Sequence, residues 1–362
     1  MARCNNPLDV GVHEVSLTGG LTSHGLLILL ATITSMVACT VSLYLIYQHF
    51  VNYSQPLVQK LIIRILFMVP IYSICCTLSV AFYKQNVYLG AIYEFYESLV
   101  IASFFLLLCR YLDPDLDKVR NKFAILTPQP WLQPVRFTRK FVFRKKNEST
   151  TDGSLWFSVI WICVLQFCVV KFLGALTKVI TEAEGVYCKD KYDASYARVW
   201  VFVIEILSLV IAMFCLLQFY KQTELELSHH QPLLKFIAIK LVVFLFYVQG
   251  FVFNQLTKDG AAMSPTDQIS YPSLAVGIPN TVLCFEMAAV AVLHLYAYPY
   301  SPFEANKLGV DDNIGMNWKQ KVRHIADFTD IWVAIVQAPK ALQEHKLREQ
   351  RQQSQDVGLH LV

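Results

Sequence analysis

Seven stretches of the chain are almost purely apolar: 23–47, 61–82, 89–110, 154–176, 199–219, 233–255 and 273–297. Each approaches or exceeds the ~20 residues that a helix needs to cross the hydrocarbon of a bilayer. The pattern therefore predicts an all-α, polytopic membrane protein with seven transmembrane helices. Pro70 in the second stretch and Pro279 in the seventh mark candidate kinks, tolerable because neighbouring helices can satisfy the freed carbonyls. The clearest segment is 216–253, LLQFYKQTELELSHHQPLLKFIAIKLVVFLFYVQGFVF. It holds two apolar runs joined by a short polar turn, with Pro232 suited to the first turn of the sixth helix. Beyond the last run, Trp318, Val322, Ile325, Phe328, Trp332 and Ile335 recur at steps of three or four, with Lys319, Lys321 and Arg323 among the first of them. That spacing predicts an amphipathic helix over about 316–340, lying at the membrane interface or packed against the end of the bundle. The last stretch, LREQRQQSQDVGLHLV, is polar and is expected to be disordered.

Composition agrees. Of 362 residues, 55% are hydrophobic and 16% charged, against about a quarter charged in soluble domains; the mean hydropathy is +0.42. The net charge of +4 matters less than its distribution. Ten Lys and Arg lie between Arg110 and Lys146 and eight more after Tyr300, whereas the 83–88 and 256–272 loops carry only Lys84 and Lys258. The 177–198 connection holds four: Lys178, Lys189, Lys191 and Arg198. The positive-inside rule then predicts a short extracytoplasmic N-terminus (1–22), a seven-helix domain (23–303) with a basic cytosolic loop (111–153), and a cytosolic tail (304–362). Plasma membrane and endomembrane both fit. The basic loop interleaves Trp131, Phe137, Phe141 and Phe143 with cations, a pattern for anionic headgroups or an ordinary positive-inside loop. The triplets Asn52-Tyr53-Ser54 and Asn147-Glu148-Ser149 would face the cytosol, unglycosylated. Residues 1–20 lack the basic start and apolar core of a secretory signal.

Cys39, Cys75, Cys76, Cys163, Cys168, Cys215 and Cys284 lie inside apolar runs and read as small packing residues, not a disulfide framework. Cys4 and Cys188 fall on the extracytoplasmic side, where a bridge and two separate thiols are both open. No Walker loop, GxSxG or HExxH occurs, and His229-His230 stands without further ligands. The sequence predicts no enzyme, no cofactor, no metal and no nucleic-acid partner. Its surroundings are the lipid bilayer, and its predicted ligand is an amphipathic organic solute.

Ionisable groups inside spanning helices are costly and mark functional hypotheses. Glu94 and Glu97 lie one turn apart with Ser98 near the outer end of the third span; Lys171 is in the fourth and Glu205 in the fifth. Lys171 and Glu205 are candidates for structural pairing in an outer charged layer. Lys240, Tyr247 and Asn254 recur every seven residues down one side of the sixth span. Asn280 and Glu286 lie on the seventh, with His294 expected at the interface. Arg64 and, in part, Lys240 are within reach of the basic-side surface by snorkelling. The candidate solute path is Glu94, Glu97, Lys240, Tyr247, Asn254, Asn280 and Glu286.

Four segments resemble the organic solute transporter alpha family, which includes the seven-span proteins called transmembrane protein 184. They are YEFYESLVIASFFLLLCRYL in the third span, QFYKQTELELSHHQPLLKFIAIKLVVFLFYVQGF across the fifth and sixth, IPNTVLCFEMAAVAVLHLYAYPYSPF in the seventh, and the HLYAYPY exit. The likeness covers about 23–303, and order and spacing agree across several helices. It implies facilitated diffusion of steroid-like or anionic amphipathic solutes. It carries over Glu94, Glu97, Lys235, Lys240, Gln249 and Glu286. Animal members have a cysteine-rich stretch after the third helix and a single-span partner. Here the 111–153 loop has no cysteine and only Cys109 stands near its start, so lipidation there and the need for that partner are both open. A homo-oligomer is equally compatible.

Two other readings share this topology. A membrane scaffold or trafficking factor would use the basic loop and the 318–335 helix without a solute path. A seven-helix receptor would couple through the 111–153 loop, but CRYLDPD stands where a DRY-like triplet would be and no NPxxY closes the seventh helix.

Overall fold

A computed structural model describes residues 12–17, 19–126, 153–188, 193–256, 264–304 and 316–337, without the side chains of 230, 242, 243, 245–247, 251 and 254. Its helices are α1 (Ser23–Val51), α2 (Pro56–Leu66), α3 (Met68–Ala81), α4 (Asn86–Leu112), α5 (Leu116–Ile125), α6 (Gly153–Ala183), α7 (Ala197–Leu227), α8 (Pro232–Leu256), α9 (Ile278–Ala297) and α10 (Trp318–Ala326). A further helical segment, α11, covers 329–337. Among the described residues the extended structure is one isolated bridge, Thr266–Ile269. Six segments are long and apolar enough to cross a membrane: α1, α2 with α3, α4, α6, α7 and the 273–297 segment ending in α9. The predicted sixth stretch is the 25-residue helix α8, with Pro232 as its first residue.

The packing of α1 follows from small side chains. Ala31, Ser35, Ala38 and Ser42 lie four, three and four residues apart, all buried, and let α1 approach α3 and α9 closely. The opposite face, with Leu29, Ile33, Met36 and Val37, is exposed as a lipid-facing surface must be. Pro70 breaks its span in two: α2 ends at Leu66 and α3 starts at Met68. A proline ring clashes with the carbonyl four residues back, here Leu66, and Ser42 Oγ of α1 donates to that oxygen at 3.0 Å. The break is thus satisfied by a neighbour. Pro279 instead stands at the start of α9, after a π-helical turn over Ser273–Gly277.

Helices α4, α6 and α7 pack side by side, α3 joins α4 to the α1–α9 pair, and α8 leans on α9 and α4. In the predicted basic loop, α5 is anchored by Phe123, stacked on Phe157 with ring centroids 4.8 Å apart and flanked by Trp156 and Phe219. Lys122 pairs with Glu226 of α7 beside it. Trp131, Phe137, Phe141 and Phe143 lie outside the described residues. So does Cys4, whereas Cys188 is disulfide-bonded and eight cysteines are free.

The structure departs from the sequence expectations at four charged positions, Lys240 of α8, whose Nζ is buried, being one. Arg64 does not snorkel: it is 2% exposed and donates to both carboxylate oxygens of Asp330 at 2.9 and 3.0 Å. Lys178 is no loop cation but a buried residue of α6. His294 is not interfacial but 0% exposed, its ring edge-on to Tyr298. The amphipathic segment after Trp318 is two helices, not one, because Asp327 ends α10 and its carboxylate accepts from Thr329 N at 3.0 Å.

At the other end of the bundle Glu14 ties the N-terminal segment down. One carboxylate oxygen accepts from Ser270 N (2.9 Å), Ser270 Oγ (2.8 Å) and Ser273 Oγ (2.5 Å); the other accepts from His24 N at 2.7 Å in the first turn of α1. Desolvation pushes this carboxyl up, but the bonds from Ser273, Ser270 and His24 outweigh it and hold it below the ordinary carboxylate range. A depressed folded-state pKa means that the tie is at full strength above the unfolded-state value and weakens as pH falls through the folded one. Hydrogen exchange at 266–273 should therefore accelerate only below the usual carboxylate range, and Glu14→Gln should show faster exchange already at neutral pH. Equal protection in both proteins at all pH values would remove Glu14 as the tie.

Candidate functional site

Buried charge gathers in two places. The first lies toward the ends of α4, α6 and α7 remote from α5. Lys171 and Lys178 are two turns apart on one face of α6, and between them they hold one carboxylate from each neighbouring helix. Lys171 Nζ lies 2.9 Å from Glu94 Oε2 and 2.8 Å from Glu205 Oε2. Lys178 pairs with the same Glu94 oxygen and lies 3.1 Å from Glu205 Oε2. The four side chains are 0–16% exposed, so two cations neutralise two anions inside the bundle. Gly174, between the lysines on α6, makes room: a Cβ there would overlap the Glu205 carboxylate. The sequence placed Lys171 opposite a carboxylate. It missed Lys178, which follows the end of the predicted fourth span; two-turn spacing from Lys171 was the available signal.

Further buried charges lie among α3, α4, α8 and α9, where Glu97 and Lys240 act on each other without an ion pair and Glu286 stands apart on α9. Glu97, one turn past Glu94, forms no ion pair with the lysines, although Lys171 acts on it electrostatically. Its Oε2 accepts from Tyr72 OH of α3 at 3.2 Å, while its Oε1 is buried without a hydrogen-bond partner. Lys240 Nζ of α8, which after Lys171 is the cation that acts most on Glu97, is likewise buried with no hydrogen-bond partner among the described residues. It does not snorkel. Glu286 of α9 accepts from Gln249 of α8 through one oxygen, and its other oxygen is buried and unpartnered. Tyr72 and Tyr93, ring centroids 4.7 Å apart, stand beside Glu97. Sequence periodicity could not find them because tyrosine is common in apolar helices. Near the α5 end, the Lys235 ammonium sits over the rings of Tyr111 and Tyr298 at 5.9 and 5.7 Å, a cation–π setting.

Of the other candidate path residues, Asn280 is not brought together with these. Asn280 turns back on its own helix, donating to Val276 O at 2.8 Å. The side chains of Tyr247 and Asn254 lie outside the described residues.

A shallow apolar groove, with room for little more than one water (about 10 Å³), opens between α7 and α8 over α4, lined by Phe104, Leu108, Leu216, Tyr220, Leu233 and Phe236, among others. Its walls lead toward the unjoined charges. On α4, Phe104 and Leu108 follow Glu97 by seven and eleven residues; on α8, Leu233 and Phe236 precede Lys240 by seven and four. Those spacings put each set on one helix face, with Lys240 ~6 Å beyond Phe236 along α8. Glu286 is not among the groove's lining residues. Chemically, the arrangement offers an all-apolar groove that stops short of the buried Lys240 ammonium and the Glu97 carboxylate.

A helical bundle with long lipid-facing helices, small-residue packing and ion pairs in its interior is an integral membrane protein of the polytopic class. The family described as organic solute transporter Ostalpha matches residues 27–303, so the chain belongs to that family. It is 30% identical over 287 residues to Protein LAZ1 of Arabidopsis thaliana, covering 73% of this chain and 56% of that protein. It is 28% identical to LAZ1 homolog 1 of the same plant (76% and 58%) and 27% identical to a transmembrane protein 184 homolog of Dictyostelium discoideum (79% and 54%). The chain thus spans a little over half the length of these curated relatives. No solved structure matches it.

Proposed function

We propose that this protein is a facilitative transporter of amphipathic organic anions, steroid-like in size. The N-terminus is extracytoplasmic, the α5 end cytosolic, and α8 is the seventh crossing. The observation that carries the reading is Lys240. An ammonium buried in a membrane bundle with no hydrogen-bond partner is several kcal/mol more costly than a paired one, and a bound anion would supply the missing partner. The apolar groove between α7 and α8 is where the body of such a solute would enter, the two helices parting to admit it, since as it stands the groove holds little more than a water. Glu97 and Glu286 oppose a second negative charge and favour release, as transport without trapping requires. The quartet of Glu94, Lys171, Lys178 and Glu205 serves structure, and family membership supports the solute class. The basic segment 110–146 supports the orientation.

The test is uptake of a sulfated or taurine-conjugated steroid by liposomes holding the full chain. Lys240→Ala should lower the initial rate at least about tenfold, the equivalent of ~1.4 kcal/mol in binding, with an unchanged unfolding temperature. Phe236→Ala, in the groove, should raise the half-saturating concentration instead. If no member of a broad amphiphile panel moves, the reading fails. The scaffold reading, favoured by the groove ending short of Glu286, would take its place.

A further inference from the structure

The segment after the last span is gripped on one side and bare on the other. Its inner face is held to the bundle by specific bonds. Arg64 donates to Asp330 and, through Nε, to Ile325 O at 3.2 Å, and its guanidinium lies 4.4 Å from the centroid of the Phe328 ring. Trp161 Nε1 donates to Ala334 O at 2.9 Å, and Tyr53 OH and His324 Nδ1 are 2.9 Å apart. Ile331 and Ala334 are buried. The outer face carries Trp318 (64% exposed), Val322, Trp332 (67% exposed), Val333 and Val336. Lys319 and Arg323, one turn apart, stand exposed on α10.

Depth decides what covers that outer face. Arg64 is eight residues into α2 from Pro56, and Trp161 eight into α6 from Gly153. At 1.5 Å per residue their partners on α11 sit ~12 Å inward from the helix ends. A run of apolar residues, IWVAIV at 331–336, is thus held alongside the spanning helices rather than beyond them. Two outward tryptophans, with Lys319 beside the first and Arg323 one turn on, are the composition of a segment seated at the headgroup boundary.

We propose that α10 and α11 form a surface anchor that binds anionic phospholipid, with Trp332, Val333 and Val336 in the acyl region and Lys319 and Arg323 on headgroup phosphates. The bundle fixes the anchor's inner face through Arg64, so the outer face meets lipid at a set depth. The two orientations that the sequence left open, lying on the interface and packing on the bundle, are then two faces of one element.

The test uses the full-length protein in lipid nanodiscs, with a photoreactive benzophenone residue replacing Trp332. In mixed phosphatidylserine and phosphatidylcholine, the label should crosslink to phospholipid, with phosphatidylserine enriched over its bulk fraction. Lys319→Ala and Arg323→Ala should each cut that enrichment up to about fivefold, since a basic residue at an anionic surface contributes about 1 kcal/mol. The unfolding temperature should not change, because neither side chain grips the bundle. Lys118→Ala, on α5, should leave the enrichment intact. Crosslinks to a second copy of the protein, labelling of water alone, or lipid crosslinks without headgroup preference would each overturn the proposal.

Discussion

Replacing Lys171 by alanine should destabilise the bundle by about 3–5 kcal/mol, the range for breaking a buried ion pair from one side. Lys171 is wholly buried and lies within 3 Å of two carboxylates on two other helices. Removing it leaves Lys178 alone against Glu94 and Glu205, an uncompensated negative charge among α4, α6 and α7. The size of the loss comes from that stranded charge and not from the attraction itself, so restoring neutrality should recover much of it. Lys171→Met with Glu205→Gln should unfold at a higher denaturant concentration than the sum of the single changes predicts. The expected coupling is about 1–3 kcal/mol. Lys178→Ala should be milder, because its ammonium is less deeply buried. Unfolding of purified protein in detergent micelles reads all of these variants. If Lys171→Ala matches a surface change such as Lys84→Ala, the quartet is not what holds these helices together.

Arg64→Ala should release the 316–337 segment while leaving the spanning helices folded. The guanidinium satisfies both oxygens of Asp330 and two backbone carbonyls, Ile325 and Asp327. Hydrogen bonds to charged groups contribute about 1.5–3 kcal/mol each when buried. Lys60, 3.2 Å from Asp330, retains part of the attraction. A net loss of about 2–4 kcal/mol in docking follows. Hydrogen exchange should rise across 318–337 and stay unchanged in α3 and α9. Arg64→Lys should rescue little, since a single ammonium cannot reproduce the planar fork that reaches several acceptors at once. Unaltered protection across 318–337 in Arg64→Ala would show that Trp161 and the apolar contacts suffice.

Legibility from sequence varied with the range of the interaction. The helices were readable because a bilayer imposes length and apolarity on each one separately. Pro232 marked the start of α8 and Pro70 marked a break, since proline acts on its own backbone. The Ser42 hydroxyl that satisfies the break was not readable, as nothing in a lone serine names a carbonyl 24 residues away. Glu94 and Glu97 look equivalent in sequence, one turn apart. In the bundle they face different partners, because 100° of helix rotation per residue sends one to α6 and the other to α3. Lys178 reads as a loop cation because the apolar run closes at Leu176 with Thr177 and Lys178, although Val179 and Ile180 follow. Arg64 was assigned to the surface because Asp330 lies 266 residues further along.

The sequence by itself determined that this is a helical membrane protein, where most of its helices run, and which family it belongs to, because those properties are written residue by residue in hydrophobicity and spacing. Tertiary structure alone decided which buried charges neutralise each other and which stay unpaired. It joined Lys171 and Lys178 to Glu94 and Glu205, and left Lys240 and Glu97 within electrostatic reach but unjoined. Pairing depends on distances of about 3 Å between atoms on different helices, and periodicity within one helix carries no such information.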